Sequence, residues 1–369
     1  MLRHKSFKNE EELASFLSVS VPRDAYLSCA YYEDPEAEME KKGWLGADLI
    51  FDIDADHIPT SCDKVHDEWA CGRCGFAGRG VVPEKCPACG GEKFDSSTWP
   101  CEVCLASAKT ETLKLLDILM EDFGLSEKEI RVFFSGHRGY HVQVENEAYK
   151  PLDSVARKEI VDYVSGLGLD LSSGGPGEEG RKARQGFQPF HTESFSWRKR
   201  IASGMKDFVL NAGEQDLIAL GIGKKETRAL LSNRDTLSRS WRSIGALSNV
   251  KGVGFETWRR IAERSIEAQS AKIDTVVTTD VHRLIRLQNT LHGKTGFKKI
   301  EFPVPALSAF DPFKSAIAFK TGTAAVLVSS APEFRIDDQM YGPYRNQEVE
   351  LSAAAAVLLI CKGRAEVVE

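Results

Sequence analysis

Apolar and polar positions follow two different periods along the chain, and each period predicts a different kind of element. Residues 47–54 (ADLIFDID) are apolar on both faces and then alternate, which predicts a buried strand. Residues 131–134 and 140–144 predict two further strands, and the short turn between them is typical of a hairpin. Leucine and isoleucine recur at helical spacing over residues 110–123, which predicts a helix. We therefore expect an α/β (mixed α+β) fold.

The chain changes character after residue 204. Residues 205–268 are rich in leucine, isoleucine and alanine with glycine punctuation, which predicts a small helical subdomain. Beyond it, residues 272–277 predict a strand or strand end, whereas Arg283 and Arg286 have the i, i+3 spacing of a helix. Three further elements are predicted towards the C-terminus: strands at 302–304 and 324–328 and a packed helix at 353–361.

Length and composition limit the class of protein. The chain has 369 residues, of which 42% are hydrophobic and 28% are charged, ordinary values for a folded globular protein. These values exclude a disordered chain, a collagen-like repeat and a small disulfide scaffold. No apolar run reaches the ~18 residues of a membrane span, and the first residues lack the apolar stretch of a leader peptide. We therefore expect a cytoplasmic protein.

The net charge of −6 argues against a protein that coats nucleic acid by bulk charge. The charge is unevenly distributed, because residues 1–60 hold 13 acidic and 6 basic residues, whereas residues 181–200 are strongly basic. A basic segment of this kind is either a solvated surface or a track for a nucleic-acid backbone. Charge alone favours the solvated surface.

Seven of the nine cysteines fall between residues 62 and 104, and their spacing is typical of metal sites. The odd total and the missing leader peptide argue against disulfides. Two CxxC pairs, in CGRCG and CPACGG, resemble a zinc ribbon and predict tetrahedral zinc. Three further cysteines and one histidine can form a second, nested metal site, whose ligands lie before and after the ribbon in the sequence. The alternative is that the histidine is solvent-exposed and binds no metal. The ribbon ligands are Cys71, Cys74, Cys86 and Cys89, and the second set is Cys62, His66, Cys101 and Cys104.

Two aspartates alternate with apolar residues at the end of the first predicted strand. Side chains at i and i+2 lie on the same face of a strand, so Asp52 and Asp54 project together while Phe51 and Ile53 pack inward. Two such carboxylates repel each other, and a divalent cation removes that penalty. Mg²⁺ and Mn²⁺ prefer oxygen ligands of this kind. The alternative is a strand that runs into an acidic turn, because Asp56 follows.

Two glycine-containing segments carry the donors expected around phosphate groups. Glycines in SGHRGYH (135–141) allow close approach of the backbone to an anion, and RLIRLQNTLHGKTG (283–296) adds a basic patch. Each segment alone is also compatible with an unliganded turn or a solvated surface, but together they predict a triphosphate clamp. The donors are Ser135, Arg138 and His141 in the first segment and Arg286, His292 and Lys294 in the second.

Three motifs occur in the order LIFDIDAD, SGHRGYHVQV and RLIRLQNTLHGKTG. Together they resemble the small catalytic subunit of archaeal and eukaryotic DNA primases, which belongs to the archaeo-eukaryotic primase superfamily. The resemblance implies a polymerase active site on a small mixed sheet flanked by helices, with a zinc site beside it. It also implies a large-subunit partner that carries an iron–sulfur cluster. On this basis we expect a primase catalytic core at 1–204 and 269–369, a zinc-binding insertion at 61–105 and the helical subdomain at 205–268.

The resemblance also implies roles for individual residues. Asp52 and Asp54 match two metal-binding catalytic aspartates, and the donors of the two glycine-containing segments match nucleotide-phosphate contacts. The third catalytic aspartate is expected upstream of His292, where Asp274 and Asp280 compete. Asp280 precedes a predicted helix, and an N-cap role explains an aspartate at that position. Asp274 has no such local role. We therefore predict that Asp274 is the third metal ligand.

The activity implied by the resemblance is template-directed synthesis of short primers from nucleoside triphosphates during DNA replication. The three aspartates would hold catalytic Mg²⁺ or Mn²⁺ for two-metal nucleotidyl transfer, and zinc would be structural. The expected partners are the primase large subunit, a single-stranded DNA template and nucleoside triphosphates, in the cytoplasm or, in a prokaryote, at the nucleoid. Two alternatives stay open: a repair or damage-tolerance primase-polymerase of the same superfamily, and a zinc-ribbon nucleic-acid-binding protein without catalysis.

Overall fold

The computed structural model describes residues 2–169, 171, 195–241 and 250–368. Helices and strands are interspersed through this part of the chain, which confirms the predicted α/β (mixed α+β) class. The helices are α1 (Glu10–Ser20), α2 (Glu102–Glu121), α3 (Ser154–Val164), α4 (Ser196–Asn211), α5 (Glu214–Ala219), α6 (Lys224–Ser232), α7 (Arg234–Ser240), α8 (Phe255–Gln269), α9 (Thr275–Thr279), α10 (Pro312–Ser315) and α11 (Ala353–Cys361).

The strands of the described residues form several small sheets. They are β1 (Tyr26–Ser28), β2 (Ala30–Tyr32), β3 (Trp44–Ala47), β4 (Leu49–Asp54), β5 (Glu68–Cys71), β6 (Ala77–Arg79), β7 (Phe94–Ser97), β8 (Ile130–Phe134), β9 (Gly139–Val144), β10 (Leu284–Arg286), β11 (Ile300–Phe302), β12 (Thr323–Ala331), β13 (Phe334–Ile336), β14 (Gln339–Tyr341), β15 (Tyr344–Ser352) and β16 (Ala365–Val367). The largest sheet has the order β11-β8-β9-β4, and three-stranded sheets have the orders β6-β5-β7 and β15-β12-β16.

The four-stranded sheet is fully antiparallel and holds the predicted hairpin as β8 and β9. The apolar positions of β4 are buried on both faces, whereas Asp52 and Asp54 at its end are partly exposed. The register places His141 opposite Asp52 and Gly139 opposite Asp54. The sheet therefore brings the first motif alongside the second motif without any intervening strand.

Contacts divide the chain into two compact units. The first comprises Met1–Leu113, Leu125–Lys158 and Lys272–Glu369, and it contains all the described strands. The second comprises Lys114–Gly124 and Glu159–Ala271, and its apolar core includes side chains of α4 and α8. The helical subdomain predicted at 205–268 falls within this second unit, and the predicted domain boundaries themselves stay a prediction.

Two elements near the C-terminal motif differ from the sequence prediction. The strand predicted at 272–277 is instead the start of the short helix α9, because Asp274 caps residues that would otherwise suit a strand. The helix predicted around Arg283 and Arg286 is instead a turn followed by β10, which pairs antiparallel with β1. Ile285 is buried in this pairing. Long-range strand pairing therefore outweighs the local helical spacing.

Two of the three remaining C-terminal predictions are confirmed. The strand predicted at 324–328 is part of β12, and the packed helix is α11. The strand predicted at 302–304 is wrong apart from Phe302, which ends β11, because Pro303 lacks the N–H needed for strand pairing and caps a 3-10 helix at Val304–Ala309. Residues 181–194 of the basic segment lie outside the described residues. Across the described ranges, no helix combines the length and the apolar character needed to cross a membrane.

Gly139 begins β9 where that strand meets the end of β4, and a side chain has no space there. A Cβ at this position would lie 2.2 Å from the carbonyl oxygen of Ile53. We predict that Gly139→Ala lowers the free energy of unfolding by ~1–3 kcal/mol, because the two backbones must separate. Thermal denaturation followed by circular dichroism measures this loss. Gly254→Ala is the control, since its Cβ would lie 3.5 Å from the nearest atom, and equal stability of the two variants would contradict the prediction.

Candidate active site

Three aspartates meet at the end of β4. Asp52 and Asp54 leave the same face of this strand, in keeping with their i, i+2 spacing. The backbone N–H of Asp274 donates to the carbonyl oxygen of Asp52 at 2.8 Å, which brings a third carboxylate to the same strand end. The structure therefore places the three predicted catalytic aspartates together.

The cluster carries more negative charge than its surroundings compensate. Burial and the nearby charges of Asp54 and Asp274 raise the pKa of Asp52 to about 7. Burial also raises the pKa of Asp54, although the Arg138 guanidinium opposes that shift. A bound cation would offset the repulsion between these carboxylates and stabilise their ionised forms.

The local roles of Asp274 and Asp280 differ from the prediction, in which Asp280 caps the start of a helix and Asp274 has no capping role. Asp274 is the N-cap of α9, where its carboxylate accepts from the N–H of Val276 at 3.0 Å. Asp280 follows the same helix, and its carboxylate accepts from the N–H of His282 at 2.9 Å. The predicted lack of a local role for Asp274 is therefore wrong. Its position beside Asp52 is what distinguishes it from Asp280.

Two of the three carboxylates accept hydrogen bonds from the backbone. Asp54 accepts from the N–H of Asp56 at 2.9 Å, and Asp274 caps α9. In the described part of the chain, Asp52, Asp54 and Asp274 do not form a group in which one oxygen from each lies within 4.8 Å of the others. Each carboxylate has a second oxygen, so Asp54 and Asp274 can keep these hydrogen bonds, but the side chains must come closer together before they can share one cation.

The glycine-containing turn and the later basic loop pack directly on each other. Gly136 has a φ of +89°, and a Cβ there would lie 2.9 Å from the Cβ of His292. The Thr295 hydroxyl donates to the carbonyl oxygen of Gly136 at 2.5 Å. The rings of His137 and His292 stack with centroids 5.0 Å apart. The structure therefore joins the two predicted phosphate-binding segments.

The three predicted donors of the turn, Ser135, Arg138 and His141, are buried. His141 Nε2 lies 3.5 Å from Asp52 Oδ1, and its buried Nδ1 has no partner among the described residues. Burial, with the charge of Lys299 as the next contribution, holds the pKa of His141 well below its usual range. This imidazole is therefore neutral at pH 7, and it lies between the carboxylates and the turn.

Arg138 is 0% exposed and is paired with two carboxylates. Its Nη2 contacts Asp56, and its Nη1 donates to Asp67 Oδ2 at 2.6 Å. Its buried Nε has no partner within the described ranges. Burial lowers the pKa of Arg138 to about 10, which leaves the guanidinium charged at neutral pH. Arg138 thus combines a fixed positive charge with one buried N–H that has no partner among the described residues.

The three predicted donors of the basic loop differ in exposure. Arg286 is buried and donates to Asp24 at 2.7 Å and to the Tyr26 hydroxyl at 3.1 Å. Burial and the charge of Arg286 lower the pKa of His292 to about 3, so this imidazole is also neutral. Lys294 is exposed, and its charge partly opposes the rise that burial causes in the pKa of Asp54.

Two lysines outside the predicted set lie beside these residues. Lys299 is 2% exposed and donates to the carbonyl oxygen of Arg286 at 2.9 Å. Lys362 follows α11, donates to the carbonyl oxygen of Thr98 at 2.5 Å and lies 3.4 Å from His137 Nε2. Burial and neighbouring cations lower the pKa of each lysine to about 7. Lys299 closely follows the basic loop in sequence, whereas no local pattern identifies Lys362.

Both predicted cysteine sets converge as metal sites require. In each set, one ligand atom from every residue lies within 4.8 Å of all the others. In the set that contains the histidine, His66 Nε2 lies 3.5 Å from the Sγ atoms of Cys62 and Cys104. Four thiolates, or three thiolates and one imidazole, suit tetrahedral Zn²⁺. The sets are Cys71, Cys74, Cys86 and Cys89, and Cys62, His66, Cys101 and Cys104.

The described end of the basic segment belongs to the second unit. Arg200 is buried and pairs with Asp117 and Asp122. Lys199 contacts Glu121 at 3.3 Å. These ion pairs show that at least two of the six basic side chains of this segment have acidic partners within the fold.

Comparison with known proteins identifies the family. The family model described as DNA primase small subunit matches residues 92–303. The DNA primase small subunit PriS of Methanothrix thermoacetophila is 32% identical over 100% of this chain and 89% of its own length. The small subunit of Nitrosopumilus maritimus is 31% identical over 98% of this chain and 87% of its own length. That of Methanococcoides burtonii is 34% identical over 99% of this chain and 88% of its own length. The resemblance seen in the motifs is confirmed, and the chain belongs to the DNA primase small subunit family.

Proposed function

We propose that this chain is the catalytic subunit of a DNA primase that joins nucleoside triphosphates into short primers on a single-stranded DNA template. One contact carries this proposal: the hydrogen bond from Asp274 to Asp52 groups three carboxylates beside a cationic, glycine-containing surface. Carboxylates for metal ions next to donors for phosphate are the two components that nucleotidyl transfer needs. The family and its relatives support the same function.

Asp52, Asp54 and Asp274 would hold Mg²⁺ or Mn²⁺, because hard cations prefer carboxylate oxygens. When bound, these ions lower the pKa of the attacking 3′-hydroxyl and stabilise charge on the departing pyrophosphate. The raised pKa of Asp52 supports this assignment, since it reflects burial of the carboxyl group together with the neighbouring charges of Asp54 and Asp274, and a bound cation would offset both effects.

The other site residues would bind and orient the triphosphate. Arg138 offers its unpartnered Nε–H, and Lys294 adds positive charge next to the stacked imidazoles. Lys362, whose pKa is lowered to about 7, would become fully charged beside His137 when an anionic triphosphate binds. During transfer, a bond forms from the 3′-oxygen to the α-phosphorus while the bond to pyrophosphate breaks. Fixed donors around the pyrophosphate therefore stabilise the transition state more than the ground state. The full proposed set is Ser135, Arg138, His141, Arg286, His292, Lys294 and Lys362.

We assign Zn²⁺ to the two cysteine clusters, where it would be structural. The supporting observation is that both ligand sets are four-membered and already converged. Binding energy at such a site contributes directly to folding of the surrounding segment.

The proposed partners are a primase large subunit, a single-stranded DNA template and nucleoside triphosphates. The curated relatives are named as small subunits, which implies a larger one. For the template, the basic segment at 181–200 stays the proposed track, since its net positive charge favours a phosphate backbone.

We predict two zinc ions per chain. Elemental analysis of the purified protein measures the ratio directly, and Cys74→Ser should reduce it to one, because a hydroxyl is a poor replacement for a thiolate ligand. Cys361→Ser is the matched control, since Cys361 belongs to neither cluster, and it should retain both ions. A ratio of one or none in the unmodified protein would contradict the nested arrangement.

We predict that Asp274→Asn eliminates primer synthesis while the protein stays folded. The amide removes one negative ligand from the metal-binding cluster but can still accept the hydrogen bond from Val276 that caps α9. The assay measures incorporation of labelled ribonucleotides on a single-stranded template with Mn²⁺. Asp280→Asn is the matched control and should leave synthesis measurable. If Asp280→Asn abolished synthesis and Asp274→Asn did not, the assignment of the third carboxylate would be reversed.

We predict different kinetic defects for the two halves of the site. Arg138→Ala, His292→Ala and Lys362→Ala should raise the KM for nucleotide, by ~10-fold or more for a charged donor. Asp52→Asn and Asp54→Asn should instead reduce kcat to background, because the carboxylates act at the reacting centre. Steady-state kinetics over a range of nucleotide concentrations separates the two parameters. An unchanged KM in all three donor variants would show that this surface does not bind the triphosphate.

A further inference from the structure

Asp67 connects one of the cysteine clusters to the active site through its two carboxylate oxygens. Its Oδ1 accepts from the ring Nδ1–H of His66 at 2.7 Å and from the backbone N–H of Trp99 at 2.9 Å. Its Oδ2 accepts from Arg138 Nη1 at 2.6 Å. A single carboxylate therefore contacts a metal ligand on one side and a phosphate-binding arginine on the other.

The burial of this chain of contacts makes it rigid. Asp67 is 6% exposed and Arg138 is 0% exposed, so water cannot readily replace either partner. The other carboxylate on Arg138 belongs to Asp56, whose side chain is 39% exposed. Charge-assisted hydrogen bonds between buried groups hold a side chain more firmly than exposed ion pairs do. Asp67 is therefore the fixed anchor of the guanidinium, and Asp56 is the more mobile one.

The contact to His66 has the form of a metal ligand's supporting hydrogen bond. A histidine that binds a metal through one ring nitrogen commonly donates its other N–H to a carboxylate, which fixes the tautomer and the ring orientation. Here Nδ1 donates to Asp67, while Nε2 lies 3.5 Å from the sulfur atoms of Cys62 and Cys104. His66 is therefore already oriented towards the cluster.

We infer that Asp67 is a positioning residue that couples metal binding at the Cys62–His66–Cys101–Cys104 cluster to nucleotide binding by Arg138. His66 would hold bound zinc and be fixed by it, a fixed His66 would hold Asp67, and Asp67 would hold the Arg138 guanidinium in the position from which it is proposed to bind phosphate. The inference rests on the proposed role of Arg138 as a nucleotide ligand. Because coupling between two binding sites is reciprocal, bound nucleotide should also retain zinc more firmly in this cluster.

Asp67→Asn separates the two functions of this carboxylate. The amide oxygen can still accept from His66 and Trp99, whereas the amide NH₂ faces another donor on Arg138. We expect this variant to keep both zinc ions by elemental analysis and to bind Mg²⁺–ATP ~10-fold more weakly in equilibrium dialysis, the loss of about one charge-assisted hydrogen bond. Glu68→Gln is the matched control, since Glu68 pairs with Arg79 and Arg364 instead, and it should bind ATP normally.

A double-mutant cycle with Arg138→Ala tests whether Asp67 acts through the arginine. If it does, the double variant binds ATP no more weakly than Arg138→Ala alone. Additive losses would overturn the inference while leaving the proposed role of Arg138 intact. Normal ATP binding by Arg138→Ala would instead refute that proposed role, and the inference with it.

His66→Cys tests the coupling from the metal side, and it decides the question if Asp67→Asn fails to fold. The variant retains a four-thiolate zinc set but removes the hydrogen bond to Asp67. We expect it to keep two zinc ions and to bind Mg²⁺–ATP more weakly than the unmodified protein. ATP should also slow the release of zinc to a chelator in the unmodified protein but not in this variant. Normal ATP binding by zinc-loaded His66→Cys would overturn the inference.

Discussion

Repulsion between partly buried carboxylates is the constraint around which the first unit is arranged. Asp52 and Asp54 leave one face of β4, and Asp274 is held against them by a backbone hydrogen bond. Burial first, and then the charges of Asp54 and Asp274, raise the pKa of Asp52 to about 7. Basic side chains lie close to this cluster: Arg138 and Lys294 act on Asp54, and Arg283 and Lys299 act on Asp52. The proposed site thus separates a negative region for metal ions from a positive region for phosphate.

The position of β4 depends on buried polar contacts at its other end. Arg157 is 0% exposed and donates to the carbonyl oxygens of Ala47, Asp48 and Leu152. Two of these bonds satisfy the carbonyl groups of the residues just before the strand, and a buried carbonyl group without a partner would cost free energy. At the end that carries Asp52 and Asp54, the close approach of Gly139 lets β9 meet the strand. The carboxylates are therefore placed by a strand that is held at both ends.

Local patterns predict the parts of this site that are close in sequence. The i, i+2 spacing places Asp52 and Asp54 on one face, and the CxxC spacing predicts both cysteine clusters, because each depends on nearby residues. Asp274 reaches Asp52 through a contact across more than two hundred residues, and the helix and strand around it were wrongly predicted from local spacing. Asp67 has no motif of its own, since its role is visible only once His66 and Arg138 have been placed on either side of it.

The cations of the proposed clamp differ in how freely they can meet a nucleotide. Arg286 is held by Asp24, by the Tyr26 hydroxyl and by a backbone carbonyl, so its charge acts from a fixed position. Arg138 is equally fixed but keeps one unpartnered N–H in the described structure. Lys294 alone among the predicted donors of the basic loop is exposed. Fixed charges lose little entropy when an anion binds, whereas an exposed lysine can follow a triphosphate as it enters and as pyrophosphate leaves. Buried, hydrogen-bonded arginines together with one exposed lysine therefore suit a proposed site that must hold each nucleotide firmly and still release its product.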